Sequence, residues 1–469
     1  MAYVEWRGNT CRVVWNTRKK DDRGKWIYDQ KGGFTDEAEA KNYGLDREAE
    51  IRADDYISRR DGATTVAEYA KTWPATLDVG HLREKAIRSM LRLYIVPRWG
   101  DTAVGDILPS AYKAWKKQLK DMPNVGLKYG EEILTIFSML MDDAVDDGLR
   151  KASPVPKGKK QRRGRYKKKP RERKREMHIE DVHQLACNAL AFWGLDGFVF
   201  VWTMTTTGMR PAELYALRRV YCHPAWPDSD PLDDPEEEDR EERHAEDLLR
   251  YGANLMPAVR VQWQHQREGG ALKEFPPKYE SQRTLVIPPF LVELLELLLK
   301  SHDGDHVFRS ISGGLLANAN FTYHYWRPIA DGRDASAEFE RVRLGQQQTV
   351  TSRRPVAAIP ATAYAGKRLY LLRHGHKEWI DEAGGVHSRI AVETRMGHEV
   401  AGVEGLYANV TTAMEQRMMD SLQERFECFV REAEWETAAS SPSSLPDGLA
   451  EWWNRQVTAA RAAHRCTGS

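Results

Sequence analysis

Five residues of types that do chemistry stand apart in this sequence, in the order arginine, lysine, arginine, histidine, tyrosine. They are Arg210, Lys278, Arg373, His398 and Tyr407. His398 lies near the start of the stretch "GHEVAGVEGLYANVT", and Tyr407 follows it nine residues later among small residues. A tyrosine placed in this way is either an aromatic side chain that packs near a helix start or a nucleophile held beside a histidine.

Each of these residues also has a purely structural interpretation. Arg210 stands immediately before Pro211, which favours a helix start, and Glu213 is placed to orient the guanidinium. Lys278 lies in "PPKYESQRTLVIPP", at the tip of a predicted β-hairpin, and Lys273 is a nearby alternative. Arginines at helix starts often form salt bridges, hairpin lysines are usually solvated, and tyrosines after glycine-rich turns usually pack. Taken singly, each residue is better explained by structure than by catalysis.

Several other chemistries have no support in the sequence. It contains no glycine-rich phosphate loop, no HExxH, no paired CxxC and no GxSxG elbow. His374 and His376 form an "HGH" that has no carboxylate or cysteine partner at ligand spacing, so we expect no metal site there. We predict no cofactor.

The elements that must position these residues fall into five predicted segments. Residues 1–62 read as two or three antiparallel strands and one helix, and residues 63–155 as an all-helical domain. A basic linker at 156–176 precedes a mixed, mainly helical domain at 177–435, and 436–469 is a tail with one helix-like piece. The sequence therefore predicts a multidomain α+β protein. The first segment is either a DNA-gripping module or a generic ββα domain.

The net charge of +1 hides two strongly charged blocks. Residues 157–175 carry thirteen lysines and arginines, and the acidic segment 223–249 carries twelve acids. The basic block is a solvated tether, a phosphate-binding segment, or both, because dense cations bind DNA by releasing counterions. The acidic segment is a solvated surface loop, a segment that competes with DNA for the protein's cationic residues, or a segment that binds over the basic linker. The candidate DNA-binding residues are Lys157, Lys159, Lys160, Arg162, Arg163, Arg165, Lys167, Lys168 and Lys169.

Composition predicts a soluble protein without a membrane segment. The mean hydropathy is −0.63, and no apolar run reaches the roughly 18 residues of a membrane-spanning helix. The polar start "MAYVEWRGNT" does not resemble a signal peptide, and five scattered cysteines suggest no disulfide framework. We therefore expect a cytoplasmic location.

Taken together and in order, the motifs resemble those of the tyrosine recombinases, and among them the integrases of phages and integrative plasmids. "TGMRPAELYAL" is similar to the first arginine box, "LLRHGHKEW" to the second, and "MGHEVAGVEGLYANVT" to the box with Gly-His and tyrosine. The helical segment 63–155 resembles the family's core-site-binding domain, and 1–62 its arm-type DNA-binding domain. The resemblance covers all but the far C-terminal tail.

This resemblance implies roles for the individual residues. Arg210 and Arg373 would clamp the scissile phosphate, His398 would hydrogen-bond to it, Tyr407 would attack it, and Lys278 would protonate the departing 5′ oxygen. The sequence departs from the family three residues before Arg373, where Tyr370 stands in place of the usual histidine. A phenol donates a hydrogen bond to phosphate but does not act as a general base near pH 7, which leaves His374 or water as the base.

The family also implies partners. We expect double-stranded DNA attachment sites, a homotetramer on two recombining sites, and a DNA-bending accessory or directionality factor, in a bacterial cytoplasm. The expected activity is integration or excision of a mobile element through a 3′-phosphotyrosyl intermediate, without metal or ATP. Two alternatives remain: a non-cleaving DNA-binding or architectural protein of the same fold, and a nicking-closing enzyme of the type IB topoisomerase kind.

Overall fold

The computed structural model describes residues 2–20, 23–53, 56–156, 176–226, 245–252, 255–335, 339–343, 346–350, 358–382, 387–398, 410–432 and 447–467. The chain divides into two compact units, 1–171 and 172–469. Helices and strands are both present, with a small sheet at the N-terminus. The predicted α+β class is confirmed.

The N-terminal sheet is a three-stranded antiparallel meander backed by one helix. Its strands are β1 (Tyr3–Arg7), β2 (Thr10–Lys20) and β3 (Trp26–Phe34), in the order β1-β2-β3, and the helix is α1 (Glu37–Arg52). Alternate residues of β2, among them Cys11, Val13 and Trp15, are buried against the helix side. Asp36 caps α1 by accepting a hydrogen bond from the amide of Ala38 at 3.0 Å.

The rest of the first unit is helical, as predicted. Its helices are α2 (Arg59–Gly62), α3 (Val66–Thr72), α4 (His81–Met90), α5 (Val96–Trp99), α6 (Pro109–Lys120) and α7 (Leu127–Asp146). A separate apolar core holds them together, and Phe137 at its centre packs on Trp99, Tyr112 and Trp115. A capping box between Thr65 and Glu68 fixes the start of α3.

The second unit is built mainly from helices around one large core. These helices are α8 (Ile179–Trp193), α9 (Leu195–Thr207), α10 (Pro211–Tyr215), α11 (Pro289–Lys300), α12 (Asn318–Phe321), α13 (Arg327–Asp331), α14 (Leu371–Asp381), α15 (Arg389–Met396), α16 (Thr412–Glu432) and α17 (Asp447–Thr467). Helix α9 is buried along nearly its whole length and lies at the centre of this core. The loop that follows the last turn of α9 carries Arg210.

Six strands of the second unit form three two-stranded antiparallel sheets. They are β4 (Ala258–Val261), β5 (Gln264–Glu268), β6 (Ala271–Phe275), β7 (Arg283–Val286), β8 (Phe339–Arg343) and β9 (Gln346–Val350), paired β4-β7, β5-β6 and β8-β9. The prediction that Lys278 sits at a hairpin tip is wrong, because β6 and β7 belong to different sheets. Pro276 and Pro277 have no N–H to donate to a ladder, so pairing ends before Lys278. The hairpin turn is instead at Gly269 and Gly270, between β5 and β6.

The two C-terminal helices pack on their own unit. Helix α16 buries Met418, Leu422, Phe426 and Val430, as its four-residue spacing predicted. Helix α17 lies within the segment predicted as a tail, yet Leu449, Trp452 and Trp453 are part of the large core. No helix among the described residues is both long and apolar enough to cross a membrane.

Three sequence predictions fall on residues outside the described ranges. They concern the basic segment 157–175, most of the acidic segment 223–249, and Tyr407.

Candidate active site

Arg210 is fixed at the start of α10 by its own helix. Glu213, three residues on, accepts one hydrogen bond from the Arg210 backbone amide at 2.8 Å and another from Arg210 Nη1 at 2.6 Å. The fixed φ of Pro211 suits the first helical position. The Arg210 side chain is 13% exposed, so one face of its guanidinium reaches the surface.

Glu213 joins two arginines. Its side chain is fully buried, and it also accepts a hydrogen bond from Arg283 Nη2 at 2.8 Å, from the start of β7. Burial acts to raise the pKa of Glu213, but attraction to Arg283 and Arg210 together outweighs burial and lowers the pKa. The carboxylate is therefore ionised and aligns both guanidinium groups.

Arg373, on α14, is 1% exposed and held by backbone oxygens. Its Nη1 donates to the carbonyl of Gly208 at 2.6 Å, and its Nη2 donates to the carbonyl of Met396. Burial, and then repulsion from Arg210 and Arg283, lower the pKa of Arg373. An arginine stays charged even so. Three guanidinium groups therefore lie in this part of the site, and two of them, Arg210 and Arg283, contact the carboxylate of Glu213. This excess of positive charge favours an anion.

His398 lies between an acid and an arginine. Its Nδ1 is 2.6 Å from Glu393 Oε2, and its Nε2 is 3.3 Å from Arg373 Nη2. A carboxylate only accepts and a guanidinium only donates, so Nδ1 carries the proton and Nε2 accepts. Glu393 also accepts a hydrogen bond from Lys377. Burial would raise the pKa of Glu393, but Lys377 and His398 lower it.

A buried pair behind these residues supports them. His376 Nδ1 donates to the carbonyl of Thr205 at 2.9 Å, and its Nε2 accepts from Arg395 Nε at 3.1 Å. Arg395 in turn donates to the carbonyls of Thr206 and Val286. Both ring nitrogens of His376 are thus occupied by protein, which leaves neither for a metal ion.

Lys278 is attached to Arg210 through one serine. Ser281 Oγ accepts from Arg210 Nη1 at 3.1 Å and donates to the carbonyl of Lys278 at 3.0 Å. The exposed Lys278 amine lies 4.6 Å from the ring centroid of Tyr279, whose φ is +63°. The loop therefore holds its lysine at the surface. Lys273, the alternative, pairs instead with Glu268 on β5.

Tyr370 immediately precedes α14, the helix that carries Arg373. Its side chain is 39% exposed, and its ring meets the ring of His374 edge-on at 5.1 Å. The structure thus places an exposed tyrosine at the start of the helix that carries Arg373.

Arg210, Arg373 and His398 converge on the end of α15. Arg210 Nη2 donates to the carbonyl of Gly397 at 3.0 Å. Arg373 contacts the residues on either side, namely the carbonyl of Met396 and the side chain of His398. Gly397 adopts a φ of +61°, and a Cβ there would lie 2.9 Å from Arg283 Nη1. A side chain at this position would displace the arginine cluster.

Sequence reasoning missed Arg283, Arg395 and Glu393. Arg283 opens the apolar strand "RTLV", where a lone charged residue was the available signal, since buried charges are rare unless paired. Arg395 lies in "RIAVETRM" with two other charged residues, so that segment gave no such signal. The side-chain partners of Arg283 and Arg395 lie far away in the sequence, and no local spacing predicts them.

Comparison with known proteins gives structural similarity without close sequence similarity. No protein-family model matches the sequence, and no curated protein matches it. A solved structure of the Tn1549 transposon integrase in complex with circular intermediate DNA is 13% identical, with 76% of this chain and 99% of that chain covered and a TM-score of 0.48. A lambda integrase tetramer bound to a Holliday junction is 12% identical over 87% of this chain and 98% of that chain, with a TM-score of 0.44. XerA recombinase is 13% identical over 78% and 99% of the two chains, with a TM-score of 0.26. The chain is thus similar in structure to two integrases and a recombinase.

Proposed function

We propose that this chain is a tyrosine-type site-specific DNA recombinase that integrates or excises a mobile element. The observation that carries the proposal is the convergence of Arg210, Arg373 and His398 on the residues 396–398. Arg210 contacts Gly397, and Arg373 contacts Met396 and His398, all by hydrogen bonds. The positive charge of Arg210 and Arg373 exceeds the negative charge of Glu213. This excess suits a phosphate that gains negative charge as it reacts.

The reaction is an exchange of phosphodiester bonds. The phenol oxygen of Tyr407 attacks the phosphorus, the bond to the 5′ oxygen breaks, and a 3′-phosphotyrosyl link forms. The planar guanidinium groups of Arg210 and Arg373 bind the non-bridging oxygens, and Lys278 gives its proton to the departing 5′ oxygen. The covalent link conserves the bond energy, so the 5′-hydroxyl of a partner strand reverses the step without ATP or a metal.

His398 and Tyr370 have different parts in this scheme. The Nε2 of His398 faces Arg373 at 3.3 Å. His398 hydrogen-bonds to the scissile phosphate that the arginines hold. The exposed hydroxyl of Tyr370 donates a second hydrogen bond to the phosphate. Because a phenol is a poor base near pH 7, the Tyr407 proton goes to His374 or to water.

The wider assembly belongs to the same proposal. The basic segment 157–175 binds the DNA backbone, the first unit binds DNA, and four chains act on two attachment sites. A DNA-bending or directionality factor would select between integration and excision. The protein would act in a bacterial cytoplasm.

The test is covalent capture of DNA by the full chain. A duplex library with randomised sequence and a nick in each strand traps covalent complexes, because the short fragment beyond the cut diffuses away. We expect native protein to retain selected DNA through its 3′ end in denaturing gels, and Tyr407→Phe to retain none. Tyr323→Phe is the matched control, since it removes an exposed hydroxyl from the same unit without removing the proposed nucleophile, and it should capture DNA like the native chain.

The outcomes separate the alternatives. Covalent capture that survives in Tyr407→Phe would assign the nucleophile to another residue. Binding without any covalent product favours the architectural protein. Relaxation of supercoiled plasmid that carries none of the selected sequence favours the nicking-closing enzyme.

A further inference from the structure

A second cluster of polar side chains lies away from the arginines, at the base of the β5-β6 hairpin. His265 on β5 is the direct cross-strand partner of Glu274 on β6. His306, in the loop after α11, has its Nε2 3.1 Å from Glu274 Oε1, and His265 Nε2 is 3.8 Å from the same oxygen. One nitrogen or oxygen from each residue lies within 4.8 Å of the others.

The orientation of His265 leaves a lone pair without a partner. Its side chain is 1% exposed, and its Nδ1 lies 2.9 Å from the carbonyl of Leu316. A carbonyl only accepts, so Nδ1 carries the proton and Nε2 is a bare acceptor. Nε2 is buried and has no hydrogen-bond partner among the described residues. It faces a carboxylate oxygen, which is another acceptor, and a cation between them would relieve the conflict.

We propose that His265, Glu274 and His306 bind a divalent transition-metal ion of the zinc class. Two imidazole nitrogens and one carboxylate oxygen are a common protein ligand set for Zn²⁺, with a fourth position left for water. Such ligand atoms lie about 2.0–2.2 Å from zinc, so His306, on the more exposed side, must move inward by roughly 1 Å. The carbonyl of Leu316 already orients His265 in the way that outer partners orient ligating histidines.

Arg218 both supports and limits this site. It donates to both oxygens of Glu274, with Nε to Oε1 at 3.1 Å, and so fixes the carboxylate. Its charge opposes a cation, but the Arg218 side chain is 42% exposed and Asp305 offsets part of its charge. We therefore expect a moderate affinity, in the micromolar range, rather than the tight binding of a closed structural site.

The ion would connect the hairpin to the rest of its unit. It would join β5 and β6 to the loop that contains His306. Strand β6 leads to Pro276, whose carbonyl accepts from Gln264 at 2.7 Å, two residues before Lys278. The site therefore has a structural role at the base of the Lys278 loop, and it does not depend on the proposed recombination.

The experiment is a titration of the chelator-treated full chain with Zn²⁺ and with Co²⁺. We expect one ion per chain by calorimetry, a rise in the unfolding temperature, and a weak visible Co²⁺ spectrum typical of nitrogen and oxygen ligands. His306→Gln, at the more exposed ligand, should weaken binding by roughly tenfold or more while the far-UV spectrum is unchanged. Glu274→Gln should do the same.

The exposed His178, which precedes α8, provides the matched control. His178→Gln should bind like the native chain. Failure of the native chain to bind Zn²⁺ would overturn the proposal. Equal binding by His306→Gln, or a Co²⁺ charge-transfer band from a thiolate, would also overturn it, because the ion would then lie elsewhere.

Discussion

Glu393 accepts a hydrogen bond from Nδ1 of His398 at 2.6 Å, while Arg373 donates to the opposite nitrogen at 3.3 Å. These two contacts fix one tautomer and one ring orientation. Lys377, which donates to the other oxygen of Glu393, keeps that carboxylate in place. We infer that Glu393 is a positioning residue for His398.

The first prediction concerns this carboxylate. Glu393→Gln keeps an acceptor for Nδ1 but removes the charge, so covalent capture of DNA should slow by roughly tenfold to a hundredfold. Glu393→Ala, which also removes the acceptor for Nδ1, should be slower still, and both variants should keep the native gel-shift affinity for DNA. Glu382→Gln, an exposed acid that pairs with Arg425, is the control and should match the native rate. Capture by Glu393→Gln at the native rate, or a parallel loss of DNA binding, would contradict this role of Glu393.

The second prediction separates binding from cleavage. Arg210→Ala should abolish covalent capture but leave the gel-shift affinity within a few-fold, because contacts to the phosphate backbone elsewhere supply most affinity. Arg210→Lys should restore little covalent capture, since one ammonium does not replace a planar guanidinium that donates two parallel hydrogen bonds. Equal losses of binding and of capture would contradict this division of roles.

The sequence predicted the local parts of this site and missed the long-range ones. The arginine, proline and glutamate of "RPAE" are read from a four-residue pattern, and Glu213 does orient Arg210. Arg283 and Arg395 look like ordinary strand and helix residues until the fold brings Glu213 and His376 to them.

The pairing of strands in the second unit was missed for a related reason. The segment "AVRVQWQHQ" has the composition of one strand, but it divides at Gln262 and Trp263 into β4 and β5, which pair with different partners. Alternation along a chain indicates that a strand exists, but its neighbour depends on residues far away. Helices such as α9 and α16 are easier to predict, because apolar spacing within one helix is a local property.

The third prediction concerns the buried charge between Arg210 and Arg283. Glu213→Gln removes the only carboxylate that either guanidinium contacts by an ion pair among the described residues. Losing one member of a buried ion pair costs about 3–5 kcal/mol, because the remaining charges are left uncompensated. The free energy of unfolding from urea titration should fall by that amount, and capture should be lost. Glu274→Gln, at a partly exposed pair, should cost less.

The fourth prediction concerns the tight turn at Gly208. Its φ is +66°, and a Cβ there would lie 2.3 Å from His376 Cδ2. Gly208→Ala should therefore displace His376, and it should also move the carbonyl that holds Arg373, with a loss of more than about 1 kcal/mol. Gly269→Ala is the matched control, since its φ is +59° but no atom lies within 4 Å of its Cβ position. If the two variants lose the same free energy of unfolding, backbone strain alone explains the effect.

The fifth prediction is a pH dependence that arises from His376. Burial, and then repulsion from Arg395, hold the pKa of His376 well below its ordinary value, so the folded chain does not protonate it. The unfolded chain does so below about pH 6.5, and acid therefore favours unfolding. This residue contributes no pH dependence above that value, and below it the free energy of unfolding falls by about 1.4 kcal/mol per pH unit. His376→Gln keeps a donor for Thr205 and an acceptor for Arg395, so urea titrations between pH 6.5 and 5 should give a shallower slope. His178→Gln should keep the native slope, and the same slope in both variants would show that His376 is not the titrating group.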